Sequence, residues 1–179
     1  MLKILIVPVI VGLLSACSFK MVHVNEGAQP KLEPEHGLIV IGIKTNTPFK
    51  SIQIAGDSSS KIGLELLKQA DPYFVATMPA GEYEFSRIWL NDFFYVRLND
   101  EQNWSFKVKP NEITYIGDFM MRKLGNGFYL SNTLNNSTSA LEFLEDKHSE
   151  LLEKYQLSYA GSDKDLFFEY LEKLKDKAE

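Results

Sequence analysis

Trp104-Ser105-Phe106-Lys107-Val108-Lys109-Pro110-Asn111-Glu112-Ile113-Thr114-Tyr115-Ile116-Gly117-Asp118-Phe119-Met120-Met121 is the stretch that decides the fold. Its first six residues alternate apolar and polar without a break, the pattern of a strand with one face in a core and the other in water. Pro110-Asn111-Glu112 carries turn chemistry. A second strand then runs from Ile113 to Met121, with Tyr115, Gly117 and Phe119 in phase. The reading of this stretch is strand, turn, strand.

The same signals extend toward the N-terminus. Ile39, Ile41 and Ile43 fall on one face with Leu38 and Val40 opposite, which predicts a strand buried on both sides and ended by Thr47-Pro48. Phe49 to Ala55 sets Ile52 and Ile54 against Ser51 and Gln53, and Gly56-Asp57-Ser58-Ser59-Ser60 closes it. Between Lys61 and Ala70 the spacing of Ile62, Leu66 and Ala70 suggests a single-turn helix. Tyr73 to Met78 reads as a strand, Pro79-Ala80-Gly81 as a turn and Glu82 to Asn91 as another strand. Beyond Ser86 the apolar phase switches to Ile88 and Leu90, so a bulge or bend is expected there. Phe93 to Leu98 follows, and after Gly125-Asn126-Gly127 a last strand covers Phe128 to Leu130. About seven or eight short strands at this spacing predict an antiparallel β-sandwich or small barrel over residues 37–132, mainly β and α+β overall.

From residue 138 to 179 the period changes. Ser139 with Glu142 forms a capping-box pattern, and Leu141, Leu144, His148, Leu151, Leu152 and Tyr155 lie along one helical stripe. A second box, Ser162 with Asp165, opens a helix carrying Phe167, Tyr170, Leu171 and Leu174. Two amphipathic helices predict an αα-hairpin that buries its stripes on the sheet, on itself or on a partner.

The chain has 179 residues, 45% of them hydrophobic, enough for one core. Its formal charge is −5 with no clustered Lys or Arg face, which argues against nucleic acid as a partner. Cys17 is the sole cysteine, so an intramolecular disulfide and a cysteine-based zinc cluster are both excluded.

The first sixteen residues have the parts of a secretory signal: Lys3, an apolar run from Ile4 to Leu14, then Ser15 and Ala16. That run is short of the roughly 20 residues a membrane span needs, and Pro8 interrupts it. Leu14-Ser15-Ala16-Cys17 resembles the lipobox of bacterial lipoproteins at all four positions. The resemblance implies cleavage before Cys17, a diacylglycerol on its thiol and acylation of the new amino group, palmitate-type chains that hold the protein to a membrane. Ser18, where an Asp commonly retains such proteins at the inner membrane, implies the outer membrane; that resemblance leaves the periplasmic and the outer side both open, and the periplasmic side is the expectation adopted. Residues 17–36, with Asn25, Glu26, Gly27, Pro30 and Pro34, read as a lipidated tether that sets the domain off from the bilayer.

Met78-Pro79-Ala80-Gly81-Glu82-Tyr83-Glu84-Phe85 and the segment from Phe106 to Phe119 resemble the turn motifs of uncharacterised bacterial lipoproteins with a prealbumin-like or carboxypeptidase-regulatory-like β-sandwich. Asn111 stands where a Gly is usual. The resemblance covers about Leu38 to Met121 and implies a binding or structural role.

Chemistry-bearing groups are scattered. His23, His36 and His148 have no metal-site spacing, no nucleophile or nucleotide motif occurs, and neither a metal nor a cofactor is expected. Asp57, Asp92, Asp100 and Glu101 sit in expected turns, where carboxylates are favoured for solvation. Asp118, mid-strand, is the exception. Asp118 or Glu84 in a concave pocket would favour an envelope enzyme or a glycan-binding lipoprotein. Aromatic residues concentrate at Trp89, Phe93, Phe94, Tyr95 and Trp104, a candidate binding surface for sugars or a partner peptide, with core packing the plainer alternative. Phe93, Phe94 and Tyr95 cannot all face one side of a strand, so at least one ring is expected to be exposed or covered by the helices. The leading expectation is a non-catalytic, lipid-anchored envelope protein that contacts a protein assembly or the cell wall.

Overall fold

The computed structural model describes residues 19, 21–56, 60–63, 72–98, 104–161, 164–175 and 177. In chain order the elements are β1 (Val22–His23), β2 (His36–Thr45), β3 (Ser51–Gly56), β4 (Ser60–Gly63), β5 (Tyr73–Pro79), β6 (Gly81–Trp89), β7 (Tyr95–Arg97), β8 (Ser105–Val108), β9 (Glu112–Lys123), β10 (Tyr129–Leu134), α1 (Ser137–Lys147), α2 (Ser149–Lys154), β11 (Gln156–Tyr159) and α3 (Phe167–Lys175).

The strands form two sheets. One has the order β1-β5-β2-β9, with β10 and β11 side by side along the far edge of β9. The other has the order β4-β3-β6, with β7 and β8 sharing the far edge of β6. Ile39, Ile41, Phe74, Phe119 and Met121 of the first sheet meet Ile52, Ile54, Tyr83, Phe85, Ile88 and Phe106 of the second in one buried core. The opposite face of the first sheet, with Leu38, Val40, Val75, Ile113 and Tyr115, packs against Ala140 and Leu144 of α1, Leu151 of α2 and Phe168 of α3. β2 therefore has apolar residues on both faces because it separates two cores, as its sequence suggests. Each fully buried aliphatic or aromatic side chain contributes roughly 1.5–3 kcal/mol to this arrangement.

The mostly β, two-sheet architecture agrees with the sequence expectation, and the details differ in five respects. First, β1, β4 and β11 bring the described strands to eleven. Where the spacing of Ile62 suggests a helix, Ser60–Gly63 pairs with β3, and residues 64–70 of that reading lie outside the described residues. Second, the ladders are mixed, because β9 runs parallel to both β2 and β11. Between β2 and β9 the chain builds all five strands of the second sheet and also β5, which returns to the first sheet antiparallel to β2 before β9 enters parallel to it.

Third, the C-terminal part is no αα-hairpin. His148 adopts a non-helical backbone (φ −145°, ψ 37°) that separates α1 from α2, and β11 stands between α2 and α3. β10 pairs only with residues 118–123 of β9, so Gln156–Tyr159 completes the ladder along residues 112–115. Leaving those backbone groups unpaired beneath the helices would be costly. Neither capping box starts its helix. α1 begins at Ser137, before Ser139, and α3 begins at Phe167, whose N–H is accepted by Asp165 Oδ1 at 2.9 Å; Ser162 lies outside the described residues.

Fourth, the segment read as a tether is docked. Phe19 packs against the inter-sheet core, Met21 and Val24 are buried, Val22 and His23 pair with Thr77 and Ala76 of β5, and Leu32 packs against the helical core. Its polar composition conceals four apolar residues, Phe19, Met21, Val24 and Leu32, each of which finds a slot. Fifth, Tyr115 and Phe119 lie on opposite faces of β9. Val40 pairs with Tyr115 while Gly42 pairs with Asp118, so Ile116 and Gly117 together oppose Ile41. Gly117, at φ +94°, supplies the left-handed backbone of this bulge and turns the strand over. The bulge expected in β6 is present. Gln53 pairs with Arg87 and Ile54 with Phe85, which leaves Ser86 unpaired and returns Ile88 to the core.

Candidate functional site

The aromatic residues divide into two groups. Trp104 is 6% exposed and its ring centroid lies 6.0 Å from that of Phe119, so it belongs to the core and not to a binding surface. Phe93 and Phe94 are 85% and 66% exposed. They sit at the tip of the β6–β7 hairpin. There the Asn91 side chain accepts the backbone N–H of Phe93 at 2.8 Å and of Phe94 at 2.9 Å, while Leu90 N–H donates to the Phe94 carbonyl. Asn is suited to this turn because its short carbonyl reaches the amides two and three positions on. With both amides held, the two phenyl rings project from an ordered turn. An ion pair between Lys50 and Asp92 ties the tip to the chain entering β3.

Behind the tip, the outer face of the second sheet carries the other two aromatic residues. Trp89 and Tyr95 are register partners with ring centroids 5.0 Å apart. The Lys61 ammonium lies 4.6 Å from the centre of the Trp89 ring, the Arg87 guanidinium lies 4.9 Å from that of Tyr95, and Trp89 Nε1 donates to Gln53 Oε1 at 3.2 Å. These contacts, cation–π attraction and one hydrogen bond, hold the two rings in place. The result is an exposed aromatic tip with a second aromatic pair behind it, each ring of the pair carrying a cation over it; aromatic residues and Arg are enriched at binding interfaces. Of the five aromatic residues singled out in the sequence, the fold brings four together and removes Trp104.

The second candidate centres on Asp118, which is fully buried. Its Oδ1 accepts the Tyr115 hydroxyl at 2.7 Å, and its Oδ2 accepts Asn136 Nδ2 at 3.2 Å and faces Lys44 Nζ at 2.6 Å. Tyr115 OH in turn accepts the Asn136 backbone N–H at 3.1 Å, and Asn136 Nδ2 also reaches Tyr73 OH at 3.4 Å. Burial, followed by its hydrogen bond to Asp118 and the charge of that carboxylate, pushes the Tyr115 phenol far above its ordinary range. Burial and Asp118 push Tyr73 up to about 12. Both phenols are therefore neutral donors at physiological pH. The arrangement joins β2, β9, β5 and the start of α1, and Gly42 leaves room for it: a Cβ there would lie 2.2 Å from Asp118 Oδ1. With three donors on its two oxygens, Asp118 acts as a structural clasp. Glu84 lies apart from it, exposed on β6 opposite Ser105.

Of the three histidines, His36 stands apart, while His23 and His148 line one small cavity with Glu26 and Lys147. His36 Nδ1 contacts the Pro34 carbonyl in a turn, and His23 stacks on Phe74 with its Nδ1 3.0 Å from the Val75 carbonyl. His148 is buried beside Phe143, its Nδ1 unpartnered and 3.9 Å from Glu150 Oε1. Among the described residues no group of three His, Cys, Asp or Glu is placed to hold a metal ion. Among them, too, no helix is long and apolar enough to cross a membrane. Cys17, Asp57, Asp100 and Glu101 lie outside the described residues. No family model, curated protein or solved structure matches the chain.

Proposed function

We propose that this chain is a lipid-anchored protein of the bacterial cell envelope, cut before Cys17, held by acyl chains at the outer membrane with its folded part in the periplasm, and acting by binding. The anchor rests on Leu14-Ser15-Ala16-Cys17 after a short apolar run. The binding role rests on one observation: Phe93 and Phe94 are presented to solvent by an ordered turn whose amides Asn91 holds. The contact is to another envelope component, a protein assembly or the cell wall.

A second reading, glycan binding, is favoured by the neighbouring Trp89 and Tyr95 rings on the outer face of the second sheet, with Lys61 and Arg87 placed over them. The test uses the acylated chain as bait in envelope extracts, alongside a Phe93→Ser/Phe94→Ser double variant. Retention of an envelope component by the parent chain and its loss with the variant is the expected result. Equal retention by both would remove the hairpin tip from the proposal. Cys17→Ser is expected to leave the chain unacylated and out of the membrane fraction.

A further inference from the structure

The N-terminal segment has a geometry that bears on how an anchored chain sits. Phe19, two positions after Cys17, packs its ring on Tyr83 with centroids 5.9 Å apart. From Met21 the chain is held continuously: Val22 and His23 pair with Thr77 and Ala76, Val24 N–H donates to the Val75 carbonyl at 2.9 Å, Gly27 N–H to the Lys147 carbonyl at 3.3 Å, and Tyr155 OH to the Pro30 carbonyl at 3.3 Å. It returns at His36, which pairs with Pro79. The segment thus runs out along β5, crosses the helical layer and comes back to the end from which it started.

That end of the domain is made of three turns locked together. Ala80 N–H donates to the Glu35 carbonyl at 2.7 Å, and Asn111 N–H to the His36 carbonyl at 2.9 Å. Phe19 sits beside them, because Tyr83 lies two residues into β6 from the turn at Ala80. Two residues of extended chain reach about 7 Å, so an acyl-bearing Cys17 could not stand far from these turns. The Phe93–Phe94 tip is at the other end of the same strand. From Tyr83 to Trp89, β6 rises about 20 Å, and the tip extends beyond Trp89.

We propose that the end of the domain formed by the turns at Glu33–His36, Pro79–Gly81 and Lys109–Glu112 lies against the bilayer that holds Cys17, and that the β6–β7 aromatic tip is thereby held at the far end, facing away from that bilayer. This rests on the anchoring proposed above. Its own content is that the segment from Phe19 to His36 is no spacer: the domain stands directly on the headgroups, and its exposed rings are presented outward to a partner instead of being available to the lipid.

Acylation of Cys17 leaves an introduced cysteine as the only free thiol, so the mature acylated chain can be labelled at one site. Two variants, Glu33→Cys and Phe93→Cys, are labelled with an environment-sensitive fluorophore and reconstituted in phosphatidylethanolamine/phosphatidylglycerol vesicles containing a headgroup spin-labelled lipid. The label at position 33 is expected to lose most of its fluorescence and the label at position 93 to keep it. Equal quenching at both positions, or stronger quenching at 93, overturns the orientation. Inserting twelve Gly/Ser residues between Ser18 and Phe19 is expected to abolish the difference, and a difference that persists unchanged would also overturn it. Failure of the anchoring itself reads differently: the parent chain would then carry no acyl mass on Cys17 and would not float with vesicles.

Discussion

Asp118 and Tyr115, three positions apart on β9, share one face of the strand and a 2.7 Å hydrogen bond, although residues three apart in a regular strand point to opposite sides. The Gly117 bulge makes this possible. Removing the carboxylate leaves a phenol, an amide and an ammonium without their acceptor. Asp118→Ala is therefore expected to cost about 3 kcal/mol of unfolding free energy, read as a lower midpoint in urea denaturation. Gly117→Ala, which must hold φ +94°, is expected to cost about 1–3 kcal/mol in the same measurement. Stability unchanged in both variants would mean that the clasp contributes nothing.

Alkaline pH should unfasten the same network. Both phenols have folded-state values raised above the ordinary 10.0, Tyr73 to about 12 and Tyr115 further, so above pH 10 the unfolded chain releases protons that the folded chain keeps. The stability these groups contribute is complete below pH 10 and is lost as pH rises. Each phenol should lower the unfolding free energy by about 1.4 kcal/mol per pH unit in that window. Urea titrations between pH 9 and pH 12 on the parent chain and on Tyr73→Phe/Tyr115→Phe test this. The double variant should show a flatter profile, and parallel profiles would contradict the assignment.

His148 acts at the other end of the pH scale. Burial lowers its value below the ordinary 6.5, the neighbouring His23 adds to that effect, and Glu150 and Glu26 oppose it. The unfolded chain therefore takes up a proton near pH 6.5 that the folded chain resists, so the contribution is present above that pH and is lost as pH falls through the folded value. Thermal unfolding between pH 7.5 and pH 5 should show a decline for the parent chain and a smaller one for His148→Gln. An identical slope in the two proteins would show that another group titrates.

The two aromatic groups should separate energetically. Trp104→Ala opens a cavity between the sheets and is expected to cost about 3–5 kcal/mol. Phe93→Ala removes a ring that is 85% exposed and should change stability by no more than about 0.5 kcal/mol. Comparable losses in chemical denaturation would mean that the hairpin tip is packed in solution.

Legibility in the sequence followed the reach of the forces involved. Ile39, Ile41, Ile52 and Ile54 were readable because period-two alternation records which face of a strand meets a core. The Ser86 bulge was readable for the same reason, since Phe85 and Ile88 fall out of phase across it. The Gly117 bulge was not, because a glycine has no side chain to betray a change of face, and Tyr115 and Phe119 stay in apparent phase across it. β11 was hidden by the helical stripe that precedes it: Leu157 and Tyr159 belong to a strand only because residues 112–115 of β9 have an open edge nearby. Of the candidate site, strand geometry allowed a ring among Phe93, Phe94 and Tyr95 to be exposed or covered by the helices; Phe93 and Phe94 are exposed for another reason, since they sit in the Asn91 turn ahead of β7 and not in a strand. The burial of Trp104 did not follow from strand geometry.

By itself, then, the sequence determined what short-range patterning can carry: the signal-like start with its cysteine, the alternation of eight of the eleven described strands, and the change to helical period near residue 138. Each is set by neighbours within a few positions, through turn chemistry or the two-residue repeat of a strand. Only the tertiary structure decided that the N-terminal segment is docked, that Asp118 is enclosed by donors from its own strand and from two other elements, and that Phe93, Phe94, Trp89 and Tyr95 lie at or behind one hairpin tip while Trp104 fills the core. Those outcomes depend on contacts between residues as far apart as Phe19 and Tyr83 or Lys44 and Asp118, and long-range pairing of that kind leaves no periodic trace in the chain.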